Sequence, residues 1–186
     1  MKRILAIALL AAFSSSAFAD TYTIEPNHTY PSFEADHFGI STWRGKFTKT
    51  SGTIQMDRAA KTGSVDITVD TGSIDFGHAK MNEHAKSDEM FNVGKFPNAT
   101  FKGKLKFDGD TPVAAEGDFT LLGVTKPMTI KISKFKCIPH PFFKKEACGA
   151  DASATFQRSD FGLNYGLPAF SPEVKLAIQV EAINTK

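Results

Sequence analysis

The stretch Phe101-Lys102-Gly103-Lys104-Leu105-Lys106-Phe107 places phenylalanine, glycine and leucine at every odd position and lysine at every even one. Successive side chains of a β-strand point to opposite faces, so this segment reads as a strand with one apolar and one wet face. The same period of two recurs in Val65-Asp66-Ile67-Thr68-Val69, in Met128-Thr129-Ile130-Lys131-Ile132 and in Val174-Lys175-Leu176-Ala177-Ile178-Gln179-Val180. Further strands are expected near 21–25, 31–38, 43–56, 113–122 and 148–156, which makes eight or nine. Between them stand turn-forming clusters such as Ala59-Ala60-Lys61-Thr62-Gly63, Asp108-Gly109-Asp110-Thr111-Pro112 and Gly123. Short turns in place of long helical crossovers imply antiparallel neighbours. One short helix is expected between His78 and Met90, with Asp75 as a nearby cap and Met81 and Ala85 on one side.

An all-β chain of this kind is a sandwich or a barrel, and alternation alone does not separate them. The chain carries 17 phenylalanines and a single tryptophan. Those rings either fill a solid core, the simpler reading of periodicity, or line a hollow one. A closed eight-stranded barrel can hold one small ligand, and strands of about nine residues span roughly 30 Å.

The N-terminus has the make-up of an export signal. Lys2 and Arg3 precede an apolar run from Ile4 to Phe13, and small residues end at Ala17-Phe18-Ala19. Residues 1–19 are expected to be removed on secretion, which leaves 167 of the 186 residues, 20–186, as one domain. The apolar run is too short for a transmembrane helix, so no stable membrane insertion is expected. Without Lys2 and Arg3 the 22 basic residues fall to 20, equal to the 20 acidic ones. A formally neutral chain with no basic run offers little drive for nucleic-acid binding.

Cys137 and Cys148 both lie in the exported part, where thiols are normally oxidised in pairs. A disulfide between them would staple the base of a hairpin loop. Ser, His and Asp residues occur without a Gly-x-Ser-x-Gly frame, and the five histidines form no His-Glu-x-x-His or dense Cys/His cluster. No catalytic residue, metal site or cofactor is therefore assigned. His28 and His84 are expected to be hydrogen-bonded structural residues at a barrel mouth. Arg158 and Asp160 are expected either to pair and close a barrel end or to meet a polar ligand head. Gly117 and Gly123 suggest a close backbone approach and a turn.

Several motifs then fall in a familiar order: Glu25-Pro26-Asn27-His28 leading to Phe33 and His37-Phe38-Gly39; Trp43-Arg44-Gly45-Lys46-Phe47 with Gly52 and Ile54; and Asn82-Glu83-His84-Ala85-Lys86-Ser87 followed by Phe91 and by Phe96-Pro97-Asn98-Ala99-Thr100-Phe101. Gly117-Asp118-Phe119-Thr120-Leu121-Leu122-Gly123-Val124-Thr125-Lys126-Pro127 is the most specific, and Arg158-Ser159-Asp160-Phe161-Gly162 closes the series. Together they resemble the YceI-like family of bacterial secreted proteins over nearly the whole mature chain. Asn82-Glu83 stands where the family has Arg-Asp, and the cysteine pair lies outside its pattern. The resemblance implies a periplasmic, lipocalin-like antiparallel barrel whose apolar interior holds a polyisoprenoid lipid, such as an isoprenoid quinone or a polyprenyl phosphate. On that reading Phe33, Trp43, Phe47, Phe91, Phe101, Leu105, Phe119, Leu121, Ile130, Leu176 and Ile178 line the cavity and contact the ligand. A lipid- or quinone-processing enzyme and a ligand-free, stress-related structural barrel are the alternatives, and pairing into a homodimer is left open.

Overall fold

The alternating segments wind in chain order around one sheet that closes on itself. The structure is a computed structural model describing residues 19–186. Residues 1–18, which hold nearly all of the expected export signal, lie outside the described residues. The strands are β1 (Asp20–Ile24), β2 (Tyr30–His37), β3 (Ser41–Phe47), β4 (Thr50–Asp57), β5 (Thr62–Asp70), β6 (Ile74–Asp75), β7 (Asn98–Asp108), β8 (Thr111–Leu121), β9 (Val124–Pro139), β10 (Glu146–Gln157) and β11 (Glu173–Asn184).

These eleven segments occupy only eight positions round the ring. β1 and β2 both lie against β11 on one side, and against β4 and β3 on the other, so they form one broken wall strand. β3 with β4, and β5 with β6, are broken in the same way. Every pairing is antiparallel, and β11 closes the ring on β1 and β2. The fold is therefore the expected closed eight-stranded barrel with one helix, and closure removes the exposed edges an open sheet would leave.

The breaks have local causes. Between β1 and β2, the Glu25 carboxylate accepts from the Asn27 backbone and side-chain amides and meets His28 Nδ1, while Thr29 Oγ1 exchanges hydrogen bonds with Glu181 of β11. Burial alone would push the Glu25 carboxyl up, but the Asn27 and His28 hydrogen bonds outweigh it and hold the group below its ordinary range. His28 thus holds a kink in the barrel wall and does not stand at the mouth. The stretch expected as one strand over 43–56 is likewise split. Thr48 and Lys49 turn their amides to Ser73, whose own turn is capped by the Asp70 carboxylate on the Gly72 amide.

Glycine and a bulge shape the wall further. A Cβ on Gly117 would lie 2.0 Å from the Lys102 carbonyl oxygen, so β7 and β8 approach as closely as they do only because no side chain stands there. Gly123, at φ 76°, completes the β8–β9 turn. In β9 the register against β10 shifts between Asp151 and Ala152, which leaves Ser133 unmatched. The inward set therefore changes from Ile130 and Ile132 to Phe135 and Cys137, and a strand whose alternation looked finished at Ile132 runs on to Pro139.

The helix α1 (Ala79–Lys86) is shorter than expected, and its cap is His78, whose side chain accepts from the Met81 amide. Asp75 instead organises the approach, accepting from the Gly77 amide and the Asn82 side chain. The α1 segment, the β2–β3 and β8–β9 turns and the 158–172 loop share one end of the barrel, here termed the mouth. The opposite end carries Asp20, Asn184 and the β9–β10 hairpin, where Cys137 and Cys148 face each other across the strands and form the expected disulfide.

Candidate functional site

Inward positions of β10 read Cys148, Ala150, Ala152, Ala154 and Phe156, so most of one wall is built of methyl groups. Ala99, Ala115 and Ala182 add further small inward positions on other strands. A barrel with such a wall cannot be filled by the rings opposite, and space remains.

That space is two chambers. The larger, about 400 Å³, lies toward the mouth, and the smaller, about 170 Å³, lies toward the disulfide end. Pro31, Val69, Ala99, Phe119 and Leu176 line both, so the chambers adjoin and these five residues stand between them. Phe119 is fixed there by edge-on packing against Phe156 and Phe161. The hollow reading of the phenylalanines holds over the solid one. The larger chamber alone falls within the usual range for small-molecule sites.

The structure brings all eleven residues singled out from the sequence to these walls. Phe33, Trp43, Phe47, Phe91 and Leu121 line the larger chamber; Phe101, Leu105, Ile130 and Ile178 line the smaller; Phe119 and Leu176 line both. They are not equally accessible. Phe47, Phe91, Phe101 and Leu121 are buried, whereas Trp43 is 36% exposed at the mouth, stacked on His37 at 4.4 Å between ring centroids. Sequence reasoning passed over Phe76, Phe156, Tyr165 and Phe170, which line the larger chamber too. Phe156 ends an alternating run and could have been found by counting in twos. Tyr165 and Phe170 sit in the 158–172 loop, where no periodicity marks them.

The larger chamber also has polar members, chiefly His84, Arg158 and Tyr165. His84, on α1, stands at the mouth as expected but is not the hydrogen-bonded residue anticipated: its ring packs edge-on to Tyr165, and Nδ1 lies 3.9 Å from Glu89, beyond hydrogen-bond reach. Its Nε2 is buried without a hydrogen-bond partner. Arg158 does not pair with Asp160. It is 7% exposed, and its Nη1 and Nε donate to the carbonyls of Leu163 and Ser171. The geometric grouping of Cys137, Glu146 and Cys148 has the compactness of a metal site, but its two sulfurs are joined in the disulfide. Among the described residues no helix is long and apolar enough to cross a membrane.

A model of the YceI-like domain matches residues 22–182. A UPF0312 protein of Enterobacter sp. (strain 638) is 36% identical over 191 residues, covering 100% of this chain and 98% of the relative. Among solved structures, the YCEI protein of Campylobacter jejuni superposes with a TM-score of 0.67 at 22% identity, covering 98% of this chain and 100% of its own. A polyisoprenoid binding domain from Saccharophagus degradans, implicated in plant cell wall breakdown, superposes with a TM-score of 0.64 at 13% identity, covering 88% and 98% respectively. At those identities the two structures establish the shared barrel and nothing finer.

Proposed function

Since the chain belongs to the YceI-like family, we propose that it is an exported, periplasmic binding or carrier protein that holds a long-chain polyisoprenoid lipid, a quinone tail or a polyprenyl phosphate, inside the barrel. The observation that carries this reading is the pair of adjoining apolar chambers, the larger lined mostly by aromatic rings and the smaller partly by the alanines of β10. Burial is worth about 0.8 kcal/mol per methylene, so a tail of several isoprene units can reach micromolar affinity, about 8 kcal/mol, even after the penalties of association. The disulfide and the signal-like N-terminus support an oxidising compartment. The domain from Saccharophagus degradans that shares the fold supports the ligand class.

The chain's single tryptophan, Trp43, lines the larger chamber and serves as a built-in reporter. Purified protein extracted with organic solvent should yield a prenyl lipid by mass spectrometry, and added long-chain quinone should quench Trp43 fluorescence saturably. Finding neither would overturn the reading.

A further inference from the structure

The β9–β10 hairpin runs past the barrel wall into residues 138–145, which line neither chamber. Between Asp118 and Glu146 the chain carries six lysines and no acid, although basic and acidic residues balance over residues 20–186. Five of these lysines, Lys131, Lys134, Lys136, Lys144 and Lys145, belong to the hairpin and are exposed. The bulge at Ser133 shifts the alternation so that Lys131, Lys134, Lys136 and Ile138 all point out of the barrel. Among the described residues only Lys134 of the five meets a carboxylate, Asp151 at 3.6 Å, while Lys145 donates to the Thr185 carbonyl. Glu146, the acid that follows them, is already taken by Tyr22 and Arg58.

At the tip the lysines meet exposed rings. Phe142 is 85% exposed and Phe143 46%. Their placement is built in. His140 Nδ1 accepts from the Phe142 and Phe143 amides, each at 3.3 Å, and its ring packs on Phe143 at 4.5 Å between centroids. The His140 amide closes the loop on the Lys145 carbonyl at 2.7 Å, and the disulfide joins the two strands just below. β8 leaves β9 at Lys131 and β11 meets β10 only from Ala147, so no strand flanks the tip on either side. A stapled hairpin that holds two adjacent rings out in water keeps an apolar surface the barrel does not need. Convex and two rings wide, that surface is too small for a stable protein interface, but it fits a fluid one that opens around a side chain. The lysines beside the rings set the sign of that surface as negative.

We propose that the β9–β10 hairpin docks the protein on an anionic phospholipid bilayer, with Phe142 and Phe143 entering the interface while Lys136, Lys144 and Lys145 face the headgroups. Lys144 and Lys145 adjoin the rings. Lys136 lies roughly 10 Å back along the strand from Pro139, about one Debye length at physiological salt. Lys131 and Lys134 sit farther back, where they steer the approach more than they hold it. A formally neutral chain with its lysines gathered on one projection is a dipole, and it presents this end first to a negative surface. The mouth lies at the opposite end of the barrel, so docking leaves the larger chamber opening away from the bilayer. The inference stands on the hairpin alone and does not depend on what the chambers hold.

The test is co-sedimentation of the purified protein with two kinds of vesicle, phosphatidylcholine alone and phosphatidylcholine mixed with phosphatidylglycerol. The native protein should bind the mixed vesicles about 100-fold more tightly, at about fivefold for each of three lysines close to the surface. Added salt should erase the difference. Phe142→Ser combined with Phe143→Ser should lower binding about 10-fold or more, and Lys144→Glu combined with Lys145→Glu should remove the preference for phosphatidylglycerol. All four positions are exposed, so both variants should keep the native urea midpoint. Ile40→Ser, on the exposed β2–β3 turn at the mouth, should bind like the native protein. Binding lost in Ile40→Ser but kept in the hairpin variants would overturn the proposal, as would native protein that ignores both vesicles. The rings could instead join two copies of the chain. A dimer in sedimentation velocity that the double phenylalanine variant dissolves, with no vesicle binding, would make the hairpin a protein interface and the proposal would fall.

Discussion

Tyr22 and Arg158 are both almost wholly buried, 1% and 7% exposed, at opposite ends of the same barrel, and their surroundings differ in kind. At the disulfide end the Tyr22 hydroxyl donates to Glu146 Oε1, and Arg58 Nη2 approaches both oxygens of that carboxylate at 3.0 and 3.1 Å. Donor, acceptor and counter-charge are all supplied by the chain. At the mouth, Arg158 has two carbonyl acceptors, no acid and one nitrogen unanswered. A closed polar network stabilises a fold, whereas a partly satisfied one leaves a buried group unpaired at a cost. The disulfide and the satisfied network thus stand together at one end.

The largest expected effect tests whether the smaller chamber belongs to the binding end or to the stabilising end. Ala152, on the alanine wall of β10, lines only the smaller chamber. Ala152→Phe would fill that space, withdrawing room for roughly five methylenes, about 4 kcal/mol or about a thousandfold in affinity for a long prenyl chain. Stability in urea should hold or rise, because a void is being filled. Loss of stability with affinity intact would reassign the chamber to the structural end. Next in size, replacing both Cys137 and Cys148 by serine opens a staple across 11 residues of sequence separation. The expected loss is about 3 kcal/mol of unfolding free energy. Prenyl-lipid affinity measured well below the melting temperature should fall far less than in Ala152→Phe, although Cys148 lines the smaller chamber.

The sequence makes the two ends unequally legible. Phe101 to Phe107 announces its strand and its inward face without help, and so do most of the phenylalanines that line the walls. Periodicity reports which face is inward, but it is silent on how much volume that face fills. The hollow therefore came from what the inward positions lack, the run of Ala150, Ala152 and Ala154, which counts as apolar in any pattern. The bulge at Ser133 hid the last third of β9 by inverting the alternation. Thr48 and Lys49, which break an otherwise continuous strand, look like ordinary strand residues because their partner is the side chain and carbonyl of a distant Ser73. Arg158 was visible as a motif residue, yet its missing acid could be seen only once every neighbour was placed.

Two smaller effects sharpen the closed end. Burial first, and then the Glu146 hydrogen bond and charge, push the Tyr22 phenol from 10.0 up to about 12. The folded chain keeps that proton at a pH where the unfolded chain has released it. Stability owed to Tyr22 is therefore complete below pH 10 and is lost as the pH rises through 12. Urea midpoints should fall across that window, and Tyr22→Phe should flatten this fall while lowering neutral-pH stability by about 1–2 kcal/mol. A fall just as steep in the variant would mean that another group is responsible.

The smallest effect is the most diagnostic. Arg58 and Glu146 are 41% and 32% exposed at their side chains, so their attraction is screened, and Arg58→Gln should lower stability by less than about 1 kcal/mol. In a Tyr22→Phe background the same change should matter differently, because both residues share one carboxylate and removing the hydroxyl leaves Arg58 as its remaining side-chain donor. Denaturation of the two single variants and the double variant gives the coupling directly. At this end the coupling should be measurable without any ligand, since both halves of the interaction are in the chain. An Arg58 effect that grew on adding prenyl lipid would mean that the ligand reaches this network through the smaller chamber, which Tyr22 lines.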